Sequence, residues 1–312
     1  MHGGLGCRAH DFGKLPLEEL AARIADAGFD CLQFAPGKAV AGFEPCPDGG
    51  ITAAFAGRAA TAFASRGLRI SVLGCYINPI HPVPEERRRS LDRFKAYLRA
   101  APDLGCGIVA TETGSLNADC SFNPGNRDEA PFEELVASVS ELAEEAERRG
   151  VTLCVEGVVR HVAHSPRRLA DLVGRVGSPA LAFLLDPVNY LDASNYENRQ
   201  RIIEEAFALF GPRIRVLHAK DLLPGDGIVS RGAAGEAPDG IPGARIVPPG
   251  KGLLDYGRIL ALLEAANPAA DILIEDLRPG DMAAARDHLA RTLSVLHSSG
   301  EDPSMDTYAH GR

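Results

Sequence analysis

The sequence has no run of about 18 apolar residues, so it offers no helix long enough to span a membrane. It has no excess of positive charge either: 33 Lys and Arg face 42 Asp and Glu, a formal net charge of −9. A nucleic-acid partner is therefore not expected, because that footprint needs a basic face. The seven cysteines (Cys7, Cys31, Cys46, Cys75, Cys106, Cys120 and Cys154) are odd in number and scattered. None forms a C-x-x-C pair, which excludes a zinc knuckle. They read as reduced, mostly buried small hydrophobes of a cytoplasmic protein. The opening M-H-G-G-L-G-C-R-A-H-D lacks the apolar segment of a signal peptide, in keeping with that compartment. Finally, no G-x-G-x-x-G turn follows the first strand-like stretch, which counts against a dinucleotide-binding open sheet.

What is present is a repeated rhythm. The 312 residues are 45% hydrophobic and 24% charged, values of an ordinary soluble domain. Strand-like stretches are read at Gly4–Phe12, Phe29–Phe34, Arg69–Tyr76 and Gly107–Thr111, then at Val151–Glu156, Ala180–Asp186, Ile214–His218 and Asp271–Glu275. Between and after them, helical spacing covers Pro16–Ala27, Ile51–Arg66, Arg87–Leu104, Phe132–Arg149, Pro166–Val176, Arg199–Phe210, Tyr256–Ala266 and Met282–Leu296. Short apolar strands alternating with amphipathic helices predict an α/β fold with a parallel sheet covered on its outer face. Eight such units in about 250 to 300 residues predict a single closed (β/α)8 TIM barrel. The barrel domain is set at 1–297, with a polar, flexible C-terminal tail at 298–312. Two long loops, Gly114–Pro131 and Leu222–Gly252, are predicted to extend from the carboxyl face.

Four strand ends agree with one another. V-T-L-C-V-E ends in Glu156, L-A-F-L-L-D in Asp186, R-V-L-H in His218 and D-I-L-I-E in Glu275. Side chains alternate faces along a strand, so Thr152, Cys154 and Glu156 share one face, as do Ile214, Val216, His218 and Lys220. Each strand thus brings a metal-type ligand to the mouth of the barrel, where (β/α)8 enzymes carry their sites. A lone strand-end carboxylate is as readily a helix cap or an ion-pair partner. Three converging carboxylates without a cation would instead have strongly raised pKa values. One divalent ion held by three carboxylates and an imidazole resolves the conflict, with Mn, Mg or Co the best matches and Zn next.

These segments, with D-P-V-N at Asp186–Asn189, H-A-K-D at His218–Asp221 and P-G-K-G-L-L-D-Y at Pro249–Tyr256, resemble the xylose-isomerase-like TIM barrels. Within them the likeness is to the sugar-phosphate isomerase/epimerase group, and it covers nearly the whole chain. The resemblance implies a Glu-Asp-His-Glu metal site formed by Glu156, Asp186, His218 and Glu275. Glu156 and Glu275 would double as the acid/base pair on opposite sides of the substrate. The implied function is a metal-dependent isomerase or epimerase of a sugar or related polyhydroxy carbonyl compound, working through a stabilised enediolate. A dehydratase or lyase acting on a keto-inositol or similar cyclic ketone shares the first step. A non-catalytic sugar-binding subunit is the alternative from a different class. Two positions depart from many ketose 3-epimerases of the group: Asn189 stands where they carry histidine, and Val162 where they carry an acid.

Polar residues at other predicted strand ends are candidates for substrate contact: His10, Tyr76, Asn78, Glu112, His161, His164, Asn189 and Lys220. For each, a loop hydrogen bond or helix cap is the competing role. Arg160, Arg231 and Arg278 are candidates for an anionic group, against surface ion pairing. Gly250 and Gly252 around Lys251 look like a phosphate cradle, but shaping the turn into a helix capped by Asp255 explains them as well. The expected partner is a small sugar or cyclitol, with no membrane; a homo-oligomer is compatible with barrels of this kind.

Overall fold

Leu17, Leu20, Ala21 and Ile24 are buried on one face of the first helix, and the same 3.6-residue stripe recurs in each long helix that follows. The strands between them are buried on both faces, as a parallel sheet under a helical coat requires. The computed structural model describes residues 3–224, 241 and 243–299. Its first half runs β1 (Leu5–Arg8), α1 (Leu17–Asp26), β2 (Cys31–Phe34), the one-turn α2 (Pro36–Ala39), α3 (Ala53–Ala64), β3 (Arg69–Gly74), α4 (Pro84–Ala100), β4 (Ile108–Glu112) and α5 (Glu129–Arg149). The second half runs β5 (Thr152–Glu156), α6 (Pro166–Val176), β6 (Leu181–Leu185), α7 (Arg199–Phe210), β7 (Ile214–Ala219), β8 (Asp221–Leu223), β9 (Arg245–Val247), α8 (Tyr256–Ala266), β10 (Asp271–Ile274) and α9 (Pro279–Ser299).

Eight strands close into a parallel barrel in the order β1-β10-β7-β6-β5-β4-β3-β2. The predicted (β/α)8 barrel is the observed fold. The inner face is filled by small and medium side chains, among them Cys31, Val72, Ala110, Cys154, Leu184, Val216 and Leu273. The larger apolar residues lie outside, between sheet and helices. There Phe183 of β6 meets Phe210 of α7 with ring centroids 4.4 Å apart, a contact contributing about 1 kcal/mol beyond burial. At the amino end the barrel is plugged by Asp271, whose carboxylate accepts from both Nη atoms of Arg69, from Ser71 Oγ and from Gly4 N. Local signals place the helices. Ser165 caps α6 by accepting from Arg168 N, and Asp255 caps α8 by accepting from Arg258 N, as its sequence position predicts.

Two predicted features change. The first strand is shorter than Gly4–Phe12: its ladder with β2 ends at Arg8↔Gln33, and Ala9–Phe12 turn as a 3-10 helix. With no further partner strand the chain turns, which brings Asp11 back under Arg8. The Leu222–Gly252 stretch begins and ends as an antiparallel pair, β8 with β9, that rises beside the barrel mouth. Residues 225–240 and 242, with Arg231 among them, and most of the tail set at 298–312 lie outside the described residues.

Candidate metal centre at the carboxyl face

The parallel register sets the depth of each polar residue. Glu112 of β4 pairs with Glu156 of β5, and Leu273 of β10 with His218 of β7. Glu156 is the last residue of β5, Asp186 follows β6 directly, His218 is the last but one of β7, and Glu275 follows β10 directly. Their ligand atoms all lie within 4.8 Å of one another, and all four residues are buried. Among the described residues they form one cluster with the donor set of a divalent cation.

Hydrogen bonds orient the imidazole. Gln33 Nε2 donates to the Tyr76 hydroxyl at 2.8 Å, so Gln33 Oε1 faces His218 Nε2 at 2.7 Å and accepts its hydrogen. That turns His218 Nδ1 toward the carboxylates, 3.0 Å from Glu275 Oε2 and 3.6 Å from Glu156 Oε1, where it carries a proton without an ion and would offer its lone pair to a bound one. Such an outer partner is how metal-binding histidines are oriented. Asp186 Oδ1 is taken by Val188 N and Asn189 N, while Oδ2 and His218 Nδ1 are buried and make no directed hydrogen bond. Three buried carboxylates and an imidazole converging on one point are the donor set of a divalent ion.

Charge acts on the four members unequally. Burial pushes the Asp186 carboxyl up to about 8 against the pull of Lys220, with Glu275 and Glu156 adding to the rise. Burial also raises Glu156, with His218 pulling the other way. Glu275 is the opposite case: burial would raise it, but His218, Lys220 and Arg8 together hold it well below the usual carboxylate range. His218 is lifted to about 10, since Glu275 and Glu156 outweigh its burial.

Above the cluster opens a cavity of about 400 Å³, a size common for small-molecule sites. Of the sequence candidates, the structure brings His10, Tyr76, Glu112, Asn189 and Lys220 to its wall beside Glu156 and Glu275. Asn189 donates to Glu156 Oε1 at 2.7 Å. Tyr76 accepts from Gln33 and keeps its own hydroxyl proton for a ligand. His10 is held neutral, at about 3, by burial, Arg8 and Lys38. Arg160 also lines the cavity. Asp186 and His218 lie beneath it.

Other candidates take different places. His161 is fully buried behind the wall, 3.7 Å from Glu112 and within reach of Cys120 O, so it backs Glu112 instead of facing the cavity. Asn78 is a loop brace: its amide donates to Ser115 O and Asn117 O, and its oxygen accepts from Ser115 N and Ile80 N. His164 lines a separate surface hollow with Arg127 and Arg168. The phosphate-cradle look of Gly250-Lys251-Gly252 dissolves, because the N–H groups of Gly250 and Gly252 both donate to Asp221.

The sequence reading missed Arg8, Asp11, Gln33 and Asp276. Lys220 Nζ donates to Asp276 Oδ2 and Glu275 Oε1, and Arg8 bridges Asp11, Glu275 and Asp276. The available signals were Gln33 two residues after Cys31 on the inner face of β2, and the acid directly following Glu275.

An eight-stranded parallel barrel with its polar cluster and cavity at the carboxyl face is the architecture of the (β/α)8 barrels, whose sites lie at that face. The family model described as the xylose isomerase-like TIM barrel matches residues 21–294, and the chain belongs to that family. Solved structures agree on the fold. An L-ribulose 3-epimerase superposes with a TM-score of 0.73 at 16% identity, covering 98% of this chain and 100% of its own. A xylose isomerase-like barrel protein from Mycobacterium smegmatis, in complex with magnesium, gives 0.69 at 16% identity over 95% and 99%. The "probable 3-DHS dehydratase" of petrobactin synthesis from Bacillus anthracis gives 0.68 at 13% identity over 93% and 99%. A search of curated proteins found no match.

Proposed function

We propose that this protein is a divalent-metal-dependent isomerase or epimerase of a sugar or related polyhydroxy carbonyl compound. One observation carries the reading: Glu156 and Glu275 belong to the buried ligand cluster and also line the cavity above it. Glu156, Asp186, His218 and Glu275 would hold the ion; the magnesium complex of a similar barrel supports Mg, and the donor set suits Mn, Co and Zn also. When bound, a divalent ion supplies a Lewis acid that polarises a carbonyl and stabilises negative charge on the deprotonated substrate.

The chain's own residues then divide the proton work. Glu156, raised by burial and held by Asn189, is the stronger base for the C–H next to the carbonyl. Glu156 can return that same proton to the neighbouring carbon, giving isomerisation; delivery to the opposite face, giving epimerisation, would fall to Glu275 after it takes a proton from solvent. His10, neutral at the wall, and Tyr76, with a free hydroxyl proton, hydrogen-bond substrate oxygens. Asn189 orients Glu156 but carries no proton, so it does not replace the histidine of many ketose epimerases. The cysteines among the described residues are all unpaired, which supports a reducing, cytoplasmic setting. No helix among the described residues is long and apolar enough to cross a membrane.

A dehydratase is the second reading. It rests on Glu112, a further cavity carboxyl that lies beside Glu156 in register, stays outside the ligand cluster and is raised by burial. Such an acid can protonate a departing hydroxyl, and the likeness to a dehydratase fits. Incubation in heavy water with a panel of ketoses, aldoses and inososes separates the readings. Deuterium at the carbon next to the carbonyl without loss of water supports isomerisation or epimerisation, and loss of water supports the dehydratase. Glu156→Gln and Glu275→Gln should each slow exchange by about 10²- to 10⁴-fold. Wild-type exchange in either variant removes that glutamate from the mechanism.

A further inference from the structure

Lys220 occupies an unusual place for a buried cation. Its ammonium lies 2.8 Å from Asp186 Oδ2, 2.7 Å from Glu275 Oε1 and 2.8 Å from Asp276 Oδ2. Two of these three carboxylates belong to the four-residue cluster. Asp186 Oδ1 is already committed to Val188 N and Asn189 N, so Oδ2 is the oxygen left to bind an ion, and Lys220 lies against it. That contact lacks directed hydrogen-bond geometry, whereas those to Glu275 and Asp276 have it. Lys220 therefore has an outer anchor, Asp276, and an inner contact it can exchange. The anchor is itself fixed: Asp276 sits at φ 59, a left-handed conformation costly for a residue with a side chain, with its N–H on Asp11 and its other oxygen on Arg8. A fixed buried charge at this distance from two ligand oxygens is a strong electrostatic presence.

We propose that Lys220 is the resident counter-cation of the centre. In the metal-free protein its ammonium occupies the Asp186 and Glu275 oxygens that a divalent ion would need, and the ion must compete with it for them. Lys220 thus sets the affinity of the centre as a positioning residue, apart from any contact it makes with substrate. This rests on reading the cluster as a metal site. It also explains how three buried carboxylates are tolerated before an ion arrives: removing one partner of a buried ion pair leaves an uncompensated charge, which is strongly destabilising.

The test is titration of metal-free protein with Mn²⁺ and with Mg²⁺ by calorimetry, alongside thermal melts with and without ion. Wild type, Lys220→Met and Lys220→Arg are compared. Lys220→Met should bind the ion roughly tenfold or more tightly, melt lower than wild type without ion, and gain more on adding it. Lys220→Arg, with the charge restored, should return toward wild-type affinity. Unchanged or weaker binding in a folded Lys220→Met protein overturns the proposal. If that variant cannot be obtained without ion, wild-type crystal structures with and without Mn²⁺ decide: the Lys220–Asp186 contact should open on loading, and a contact kept unchanged overturns it. Wild type that binds no ion at all, with His218→Ala as the matching control, removes the metal reading itself.

Discussion

Gln33 occupies a fully buried position on β2, and its only described side-chain partners are His218 and Tyr76. Its amide oxygen fixes the hydrogen of His218 on Nε2 and so presents Nδ1 to the carboxylates. Gln33→Leu keeps the volume and removes that acceptor. The expected outcome is a metal affinity lower by about 10- to 100-fold, measured by calorimetry, with little change in the strand contacts around it. Unchanged affinity would mean that the ring is oriented by packing alone. The four clustered residues were legible in the sequence because each ends an apolar strand run. Gln33 was not, since one polar residue inside a short strand has no spacing partner until the barrel closes. Arg8 was hidden for a related reason: its strand looked as if it ran four residues further, to Phe12 instead of Arg8, so its place at the mouth could not be counted.

Among the elements, the turn from β7 into α8 depends on one carboxylate. Asp221 accepts from the N–H groups of Leu222, Gly250, Gly252 and Leu254, closing a 29-residue excursion back onto its own start. Gly252 is required there, because a Cβ would come within 2.4 Å of Asp221 Oδ1 and Leu222 O. Asp221→Ala leaves buried donors unmet and should cost about 2–4 kcal/mol, read as a lower melting temperature. Gly252→Ala should lower it too. If neither variant changes stability, the loop is held by something other than this latch. The eight strand–helix units, including three helices with bounds that match the observed ones, were readable from periodicity. The role of Asp221 was not, because its partners are backbone groups, which a sequence does not distinguish.

Across the whole molecule, the charged centre ties stability to pH. Without an ion, Asp186 is raised from 3.8 to about 8 and His218 from 6.5 to about 10. A group whose folded pKa lies above its unfolded value contributes stability that is full below the unfolded value and lost as pH rises through the folded one. Both groups therefore act in the same direction, and their contribution to metal-free stability, read as melting temperature, should fall as pH rises from about 4 to about 10. Binding an ion requires both groups deprotonated, so loading near neutral pH should release about one to two protons per ion. Calorimetry in buffers of different ionisation enthalpy measures that release directly. An ion that binds without releasing protons contradicts the assignment of these two groups as ligands.

The proposed function stands on Glu156, Asp186, His218 and Glu275 together holding one divalent ion. The most direct measurement is the metal stoichiometry and affinity of purified wild-type protein beside His218→Ala and Glu156→Ala. Wild type should hold about one ion per chain, with an affinity that falls by orders of magnitude in both variants while the fold persists. Wild-type protein that takes up no ion, or variants that bind as tightly as wild type, would contradict it.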